Sequence, residues 1–243
     1  MNRKLRVRFT KTGKVRFTSH RDVARIWERA LRRAGLPVAY TEGFSPRPKL
    51  SFGLALSTGH ESLGEYLDVN LRNDAPGGDV TGEAFAALVD PALPVGMEVQ
   101  AVVPLEAGAD SLQQAVTSST WHFELSGLTA AQLAAAIERT LASVEIVVTR
   151  ERKGNEVTED IRPCILALQA LPPGTGFGAV EAELATQPRS LRPAELVSAL
   201  DPVLQADRVV RIHQWTQVGG ARQEVIPLPP AATLAPHAQA RAS

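Results

Sequence analysis

His20, Tyr40 and Lys49 fall within the first fifty residues of a 243-residue chain. Together they are residue types that could cut RNA without a metal. Such cleavage needs a general base for the 2′-hydroxyl and a cation for the charge that develops on the phosphorane, with an acid to assist the leaving group. His20 sits at the first turn of an expected helix, and imidazole is the side chain most often used as a general base. A histidine in that place also serves simply to hydrogen-bond or to contact a phosphate. The other histidines, His60, His122, His213 and His237, have no ligand spacing with carboxylates or thiols, so no metal site is expected.

Tyr40 and Lys49 belong to the stretch "YTEGFSPRPKLSFGLAL". Gly43 permits unusual backbone angles, and Pro46 and Pro48 hold "SPRPK" extended. The loop would present Arg47 and Lys49 beside Tyr40 and Phe44. Cations grip phosphates while aromatics stack on unpaired bases, each stack contributing roughly 1–3 kcal/mol. Phe52 lies in a strand and is expected to pack inward.

The helix that precedes this loop is "SHRDVARIWERALRRAGLP". Ser19 and Asp22 form a capping box, and Gly35 and Pro37 end the helix. Val23, Ile26, Trp27, Ala30, Leu31 and Ala34 recur at i, i+3, i+4 spacing as a buried stripe, leaving Arg25, Arg29, Arg32 and Arg33 on the opposite face. Residues 1–55 hold fourteen Lys and Arg against three Asp and Glu, and the rest of the chain holds twelve against twenty-three, so a net charge of zero conceals a basic working face. The commonest cytosolic polyanion is nucleic acid. The residues expected to touch it are Lys11, Lys14, Arg16, His20, Arg21, Arg25, Arg29, Arg32, Arg33, Tyr40, Phe44, Arg47 and Lys49.

These residues need elements to hold them. "KLRVRFTKTGKVRFTS" alternates as strand, turn, strand; then come the helix, strands in "KLSFGLALS" and "GEYLDVNLR", a helix in "GEAFAALVDPAL" and a strand in "MEVQAVVPL". That order is βαββαβ, the split ferredoxin-like unit. It restarts at "STWHFELSG", with an extra hairpin near Gly154. The expected fold is therefore α+β: two tandem ferredoxin-like units, with antiparallel sheets and helices on one face. Residues 1–104 would form the basic N-terminal domain, 105–118 a linker and 119–218 the C-terminal domain. An Ala/Pro-rich tail, 219–243, is expected to be disordered.

The glycines Gly174, Gly176 and Gly178 have the wrong spacing for a dinucleotide fingerprint and read as a tight turn. Asp160 and Arg162 read as a structural contact. A single cysteine, Cys164, excludes an internal disulfide and a cysteine-held cluster built from this chain alone. No run of eighteen apolar residues occurs, and "MNRKLRVRF" does not lead into a signal-peptide core, so no membrane partner and a cytoplasmic location are expected.

Taken together, "SHRDVARIWERALRRAGLP", "YTEGFSPRPKLSFGLALSTG", "GEYLDV" and "DIRP" resemble the bacterial radical SAM-linked, or radical SAM-associated, protein family, a domain of unknown function, over roughly residues 3–215. The resemblance implies a partner that is a radical SAM enzyme. That partner would carry the iron–sulfur cluster, SAM and possibly B12, with no cofactor in this chain. It also implies a setting in rRNA or tRNA modification or maturation. The tandem layout is similar to that of the RAMP-superfamily RNA-binding proteins and endoribonucleases, an analogy of architecture alone. Three functions follow as expectations: an RNA-binding accessory protein, a protein-interaction scaffold docking on the radical SAM enzyme, and a metal-independent endoribonuclease.

Overall fold

A computed structural model describes residues 2–106, 108–152, 154–172 and 178–228. The glycine turn at Gly174 and Gly176, and the tail from 229 onward, lie outside these residues. The chain opens with β1 (Asn2–Lys11), α1 (His20–Arg33), β2 (Leu50–Phe52), β3 (Glu61–Arg72), α2 (Gly82–Val89) and β4 (Val99–Pro104). A short helix, α3 (Leu112–Ala115), leads into β5 (Val116–Ser126), α4 (Ala130–Ala142) and the hairpin β6 (Val147–Arg152) with β7 (Asn155–Asp160). The chain then continues through β8 (Ile165–Leu171), β9 (Gly178–Ala185), α5 (Pro193–Leu200), β10 (Gln205–Val218) and β11 (Ala221–Glu224).

The result is an α+β fold built on one large, mostly antiparallel sheet in the order β4-β1-β3-β10-β5-β9-β8. β2 pairs with β3 and β11 with β10, while β6 and β7 form a separate two-stranded sheet. The sheet runs unbroken through both halves of the chain. Its junction is a short parallel pairing in which Val210 faces Glu61 and Arg211 faces Ser62. The halves are thus joined edge to edge, and residues 112–118 of the expected linker belong to α3 and β5.

Apolar alternation explains the layering. On β1 and β3, Leu5, Val7, Phe9, Leu67, Val69 and Leu71 face α1 and α2 and pack with Val23, Trp27, Leu31, Phe85 and Val89. Trp27 is fully buried, edge-on to Phe9 with ring centroids 4.9 Å apart. Each such side chain contributes about 1.5–3 kcal/mol by leaving water. The second core collects Phe123, Leu125, Leu133, Val180, Leu184, Leu196 and Leu200 under α4 and α5. A third, smaller cluster of Tyr66, Leu112 and Ile226 covers the opposite face of the first half.

Two expectations are corrected. "GKVRF" is a short 3-10 turn at Gly13–Phe17, with no strand at this point. Both edges of β1 are already taken, by β3 and by β4, so a second hairpin strand has nowhere to pair. Residues 221–224 form a strand against β10, with Ile226 buried behind it, so order extends beyond residue 220. No helix among the described residues is long and apolar enough to cross a membrane.

Candidate nucleic-acid interface

The arginine helix forms as its sequence dictates. Ser19 accepts a hydrogen bond from the Asp22 amide and caps α1. Its hydroxyl also donates to Asp22 Oδ2 at 2.7 Å, and this bond holds the exposed Asp22 carboxyl below its ordinary range. At the other end Gly35 takes φ +68°, the left-handed conformation that closes a helix. Val23, Trp27, Ala30 and Leu31 are buried, while Ile26 and Ala34 are half-buried at the stripe's edge. Arg21, Arg25, Arg29, Arg32 and Arg33 are all exposed. Arg25 donates to Asp22 at 3.2 Å and Arg29 to the Arg25 carbonyl at 3.1 Å. Such exposed contacts contribute little energy and leave the guanidiniums open to a phosphate.

The loop that follows is pinned at its base and open at its tip. Thr41 N donates to Arg47 O at 2.8 Å, and Arg47 N donates to Thr41 Oγ1 at 3.0 Å. Lys49 N donates to Ala39 O at 2.7 Å, and Asn70 of β3 ties down both sides through Ala39 N and Lys49 O. At the tip Gly43 adopts φ +120°, which a side chain would strain, and Phe44 stands entirely in solvent. Tyr40 is 47% exposed, and Arg47 and Lys49 are exposed with it. Tyr40 and Pro48 border a hollow of about 180 Å³ together with Leu31, Arg32 and Gly35. The aromatic loop therefore adjoins the C-terminal end of the arginine row.

Not every residue assigned to this face belongs to it. Lys11 is 2% exposed and donates to the carbonyls of Arg16 and Thr18, so it cannot meet a polyanion. Burial lowers its pKa, with the Glu65 carboxylate acting in the opposite sense. Arg16 is half-buried, paired with Glu61 at 3.3 Å, and its guanidinium lies 4.6 Å from the Phe17 ring centroid. Lys14 is exposed on the turn. Phe52 packs against the first core, as expected from its strand.

The three candidate cleavage residues do not converge. His20 is exposed at the N-terminus of α1, edge-on to Phe52 with centroids 5.4 Å apart. Tyr40 lies beside Leu31 and Arg32, at the other end of the same helix. Fourteen residues at about 1.5 Å each separate those ends by about 20 Å. Lys49 stays with Tyr40, whose residue bridges to Pro48.

The sequence reading missed the charges buried on β1 and β3, some of them paired within the first half and others across the seam to the second. Arg6 donates twice to Asp68, at 2.7 and 3.0 Å. Arg8 donates to the Tyr66 hydroxyl, Glu224 and the Ile226 carbonyl. Arg208 and the Gly13 amide both reach Glu61. The "GEY" residues Gly64, Glu65 and Tyr66 stand in this seam. In "DIRP", Asp160 Oδ1 accepts from the amides of Ile146 and Arg162, and the Arg162 guanidinium donates to the carbonyls of Leu141, Ser143 and Ile165. That set is structural, closing the end of α4.

Residues 4–193 match the profile of a bacterial family described as "Uncharacterized protein conserved in bacteria (DUF2344)". No curated protein matches the chain. Among solved structures, an unknown protein from Galdieria sulphuraria is 14% identical with a TM-score of 0.26, covering 87% of this chain and 99% of its own. A putative glycine cleavage system transcriptional repressor is 9% identical at the same TM-score and the same coverages. Likenesses of that size carry no argument about fold or function.

Proposed function

The chain belongs to that bacterial family, and we propose that it is an RNA-binding accessory protein working with a separate radical SAM enzyme in rRNA or tRNA modification or maturation. The observation that carries the RNA reading is the exposed row Arg21, Arg25, Arg29, Arg32 and Arg33, continued at its C-terminal end by Tyr40, Phe44, Arg47 and Lys49. Cations at one-turn spacing follow a phosphate backbone, and a solvent-exposed phenylalanine on a stiff loop is placed to stack on a base. The radical SAM partner rests on the resemblance of the sequence motifs. In this reading the iron–sulfur cluster, SAM and B12 belong to that partner. We also read the repeated orders β4-β1-β3-β2 and β10-β5-β9-β8 as two tandem ferredoxin-like units fused through β3 and β10, a layout similar to RAMP-superfamily RNA-binding proteins. With His20 and Tyr40 at opposite ends of α1, the geometry supports holding RNA rather than cutting it through this trio.

The test is binding of cellular RNA by the purified full chain across a salt series. Phosphate contacts predict a log–log slope of about −0.7 per contact on single strands. Reversing Arg25, Arg29 and Arg33 to Glu should abolish binding and leave a complex with the radical SAM enzyme intact. Failure to shift any RNA at low salt, or binding that ignores salt, overturns the reading. Loss of the enzyme complex alone supports the scaffold reading instead.

A further inference from the structure

Between the two halves lies a cleft of about 780 Å³, within the usual range for small-molecule sites. Its lining shares no residue with the arginine row or the aromatic loop. Ser119 and Trp121 of β5 and Arg211 of β10 contribute to it, together with residues 54–57 after β2, residues 188–193 leading into α5, and Arg150 and Glu159 from the hairpin. Four arginines, Arg150, Arg189, Arg192 and Arg211, line the cleft against the single carboxylate of Glu159.

Three of these guanidiniums, those of Arg150, Arg189 and Arg211, are held in place before any ligand arrives. Arg150 donates to Glu159 at 3.0 Å, Arg189 pairs with Glu159 and Glu195, and Arg211 is fixed by Glu65 and the Leu54 carbonyl. Fixed guanidiniums suit the planar, two-point recognition of phosphate. The donors are also incompletely used. Arg189 Nε is taken up by Glu159 Oε2 at 2.6 Å, whereas Arg189 Nη1 and Ser119 Oγ are buried without a hydrogen-bond partner. Ser119 is 1% exposed. A buried donor without an acceptor costs stability unless something fills the site. The other half of the lining is apolar, with Leu54, Leu56, Trp121 and Leu191, and the Arg211 guanidinium lies 5.3 Å from the Trp121 ring centroid.

The geometry points to a binding site for a nucleotide-sized phosphorylated ligand, its phosphate held by Arg189, Arg192 and Ser119 and its ring laid against Leu54, Leu56 and Trp121. The site does not rest on the RNA reading. The same chemistry is offered by a free nucleoside monophosphate and by an unpaired nucleotide of an RNA strand.

The test is calorimetric titration of the full chain with the four nucleoside monophosphates, with inorganic phosphate, with adenosine and with a single-stranded hexaribonucleotide. At least one monophosphate should bind more tightly than either phosphate or adenosine alone. Affinity should fall roughly tenfold in Arg189→Gln and in Arg192→Gln and stay unchanged in Glu138→Gln, a change on the exposed face of α4. Arg192 is exposed and makes no side-chain ion pair among the described residues, so its variant keeps the test valid if Arg189→Gln fails to fold. Hexanucleotide binding that weakens in the cleft variants, without mononucleotide binding, identifies the RNA strand as the source. No saturable monophosphate binding up to about 10 mM, combined with strand binding that only Arg29→Glu disturbs, overturns the proposal.

Discussion

Arg211 and Glu65, one on each half of the chain, are joined inside the seam: Nε and Nη2 of Arg211 donate to one Glu65 oxygen at 3.1 and 2.6 Å. The Arg211 side chain is 2% exposed and that of Glu65 12%. Lys11 stands in the same field, its charge favoured by Glu65 and disfavoured by Arg211. The carboxylate therefore serves two buried cations, and removing either partner has unequal consequences.

Glu65→Leu leaves both Arg211 and Lys11 uncompensated, whereas Arg211→Met leaves Glu65 with Lys11 still nearby. Stranding a buried charge costs about 3–5 kcal/mol. Glu65→Leu should reach that range and Arg211→Met should fall below it, read as urea-denaturation midpoints at constant slope. Equal losses would mean that Lys11 does not share the carboxylate.

Why the seam escaped the sequence is visible in Arg8. On β1, alternation of charged and apolar residues reads as one face buried and one wet. What covers the charged face, Glu224 and Ile226, lies 216 and 218 residues away. By contrast α1 was legible because cap, stripe and stop are all local. The loop Tyr40–Lys49 was legible for the same reason. The cleft arginines come from the hairpin, the segment before α5 and β10, so nothing in their spacing announces a common site.

Trp27 carries a buried indole N–H without a hydrogen-bond partner while its ring packs edge-on to Phe9. Trp27→Ala should cost about 3–5 kcal/mol through lost contacts and a cavity. Trp27→Phe keeps a ring against Phe9 and removes the orphaned donor, so its cost should stay below about 1.5 kcal/mol. Chemical denaturation of the two variants checks the ranking.

Stability should fall in two steps on acidification. Burial, aided by the charges of Arg211 and Lys11, lowers the His60 pKa below its ordinary 6.5. The unfolded chain then binds this proton first, so stability declines as pH falls below 6.5 and levels off once it passes the folded value. Burial pushes Glu61 and Glu224 up, but this is outweighed for Glu61 by Arg208 and the Gly13 amide, and for Glu224 by His213 and Arg8. Both end below their ordinary 4.5, so their contribution is full above that pH and is lost as pH falls through the folded values. Urea midpoints from pH 8 to about 3 should show the upper step vanish in His60→Asn and the lower step shrink in Glu61→Gln.

β11 and the residues just after it brace Arg8. Arg8, 3% exposed, has as acceptors the Tyr66 hydroxyl, Glu224 Oε2 at 2.8 Å and the Ile226 carbonyl at 3.0 Å. Ending the chain after Val218 removes the last two and uncovers Tyr66 and Leu112, which pack with Ile226. The guanidinium would then be left in the seam with one neutral acceptor, at a cost of about 3–5 kcal/mol. A chain ending after Leu228 keeps all three acceptors and is the reference. Adding Arg8→Leu to the shorter chain should recover part of the loss, because it removes the stranded charge while keeping an apolar side chain against Tyr66. If the two truncations unfold at the same urea concentration, β11 does not brace Arg8, and the seam is held by Arg211 with Glu65 and Arg208 with Glu61.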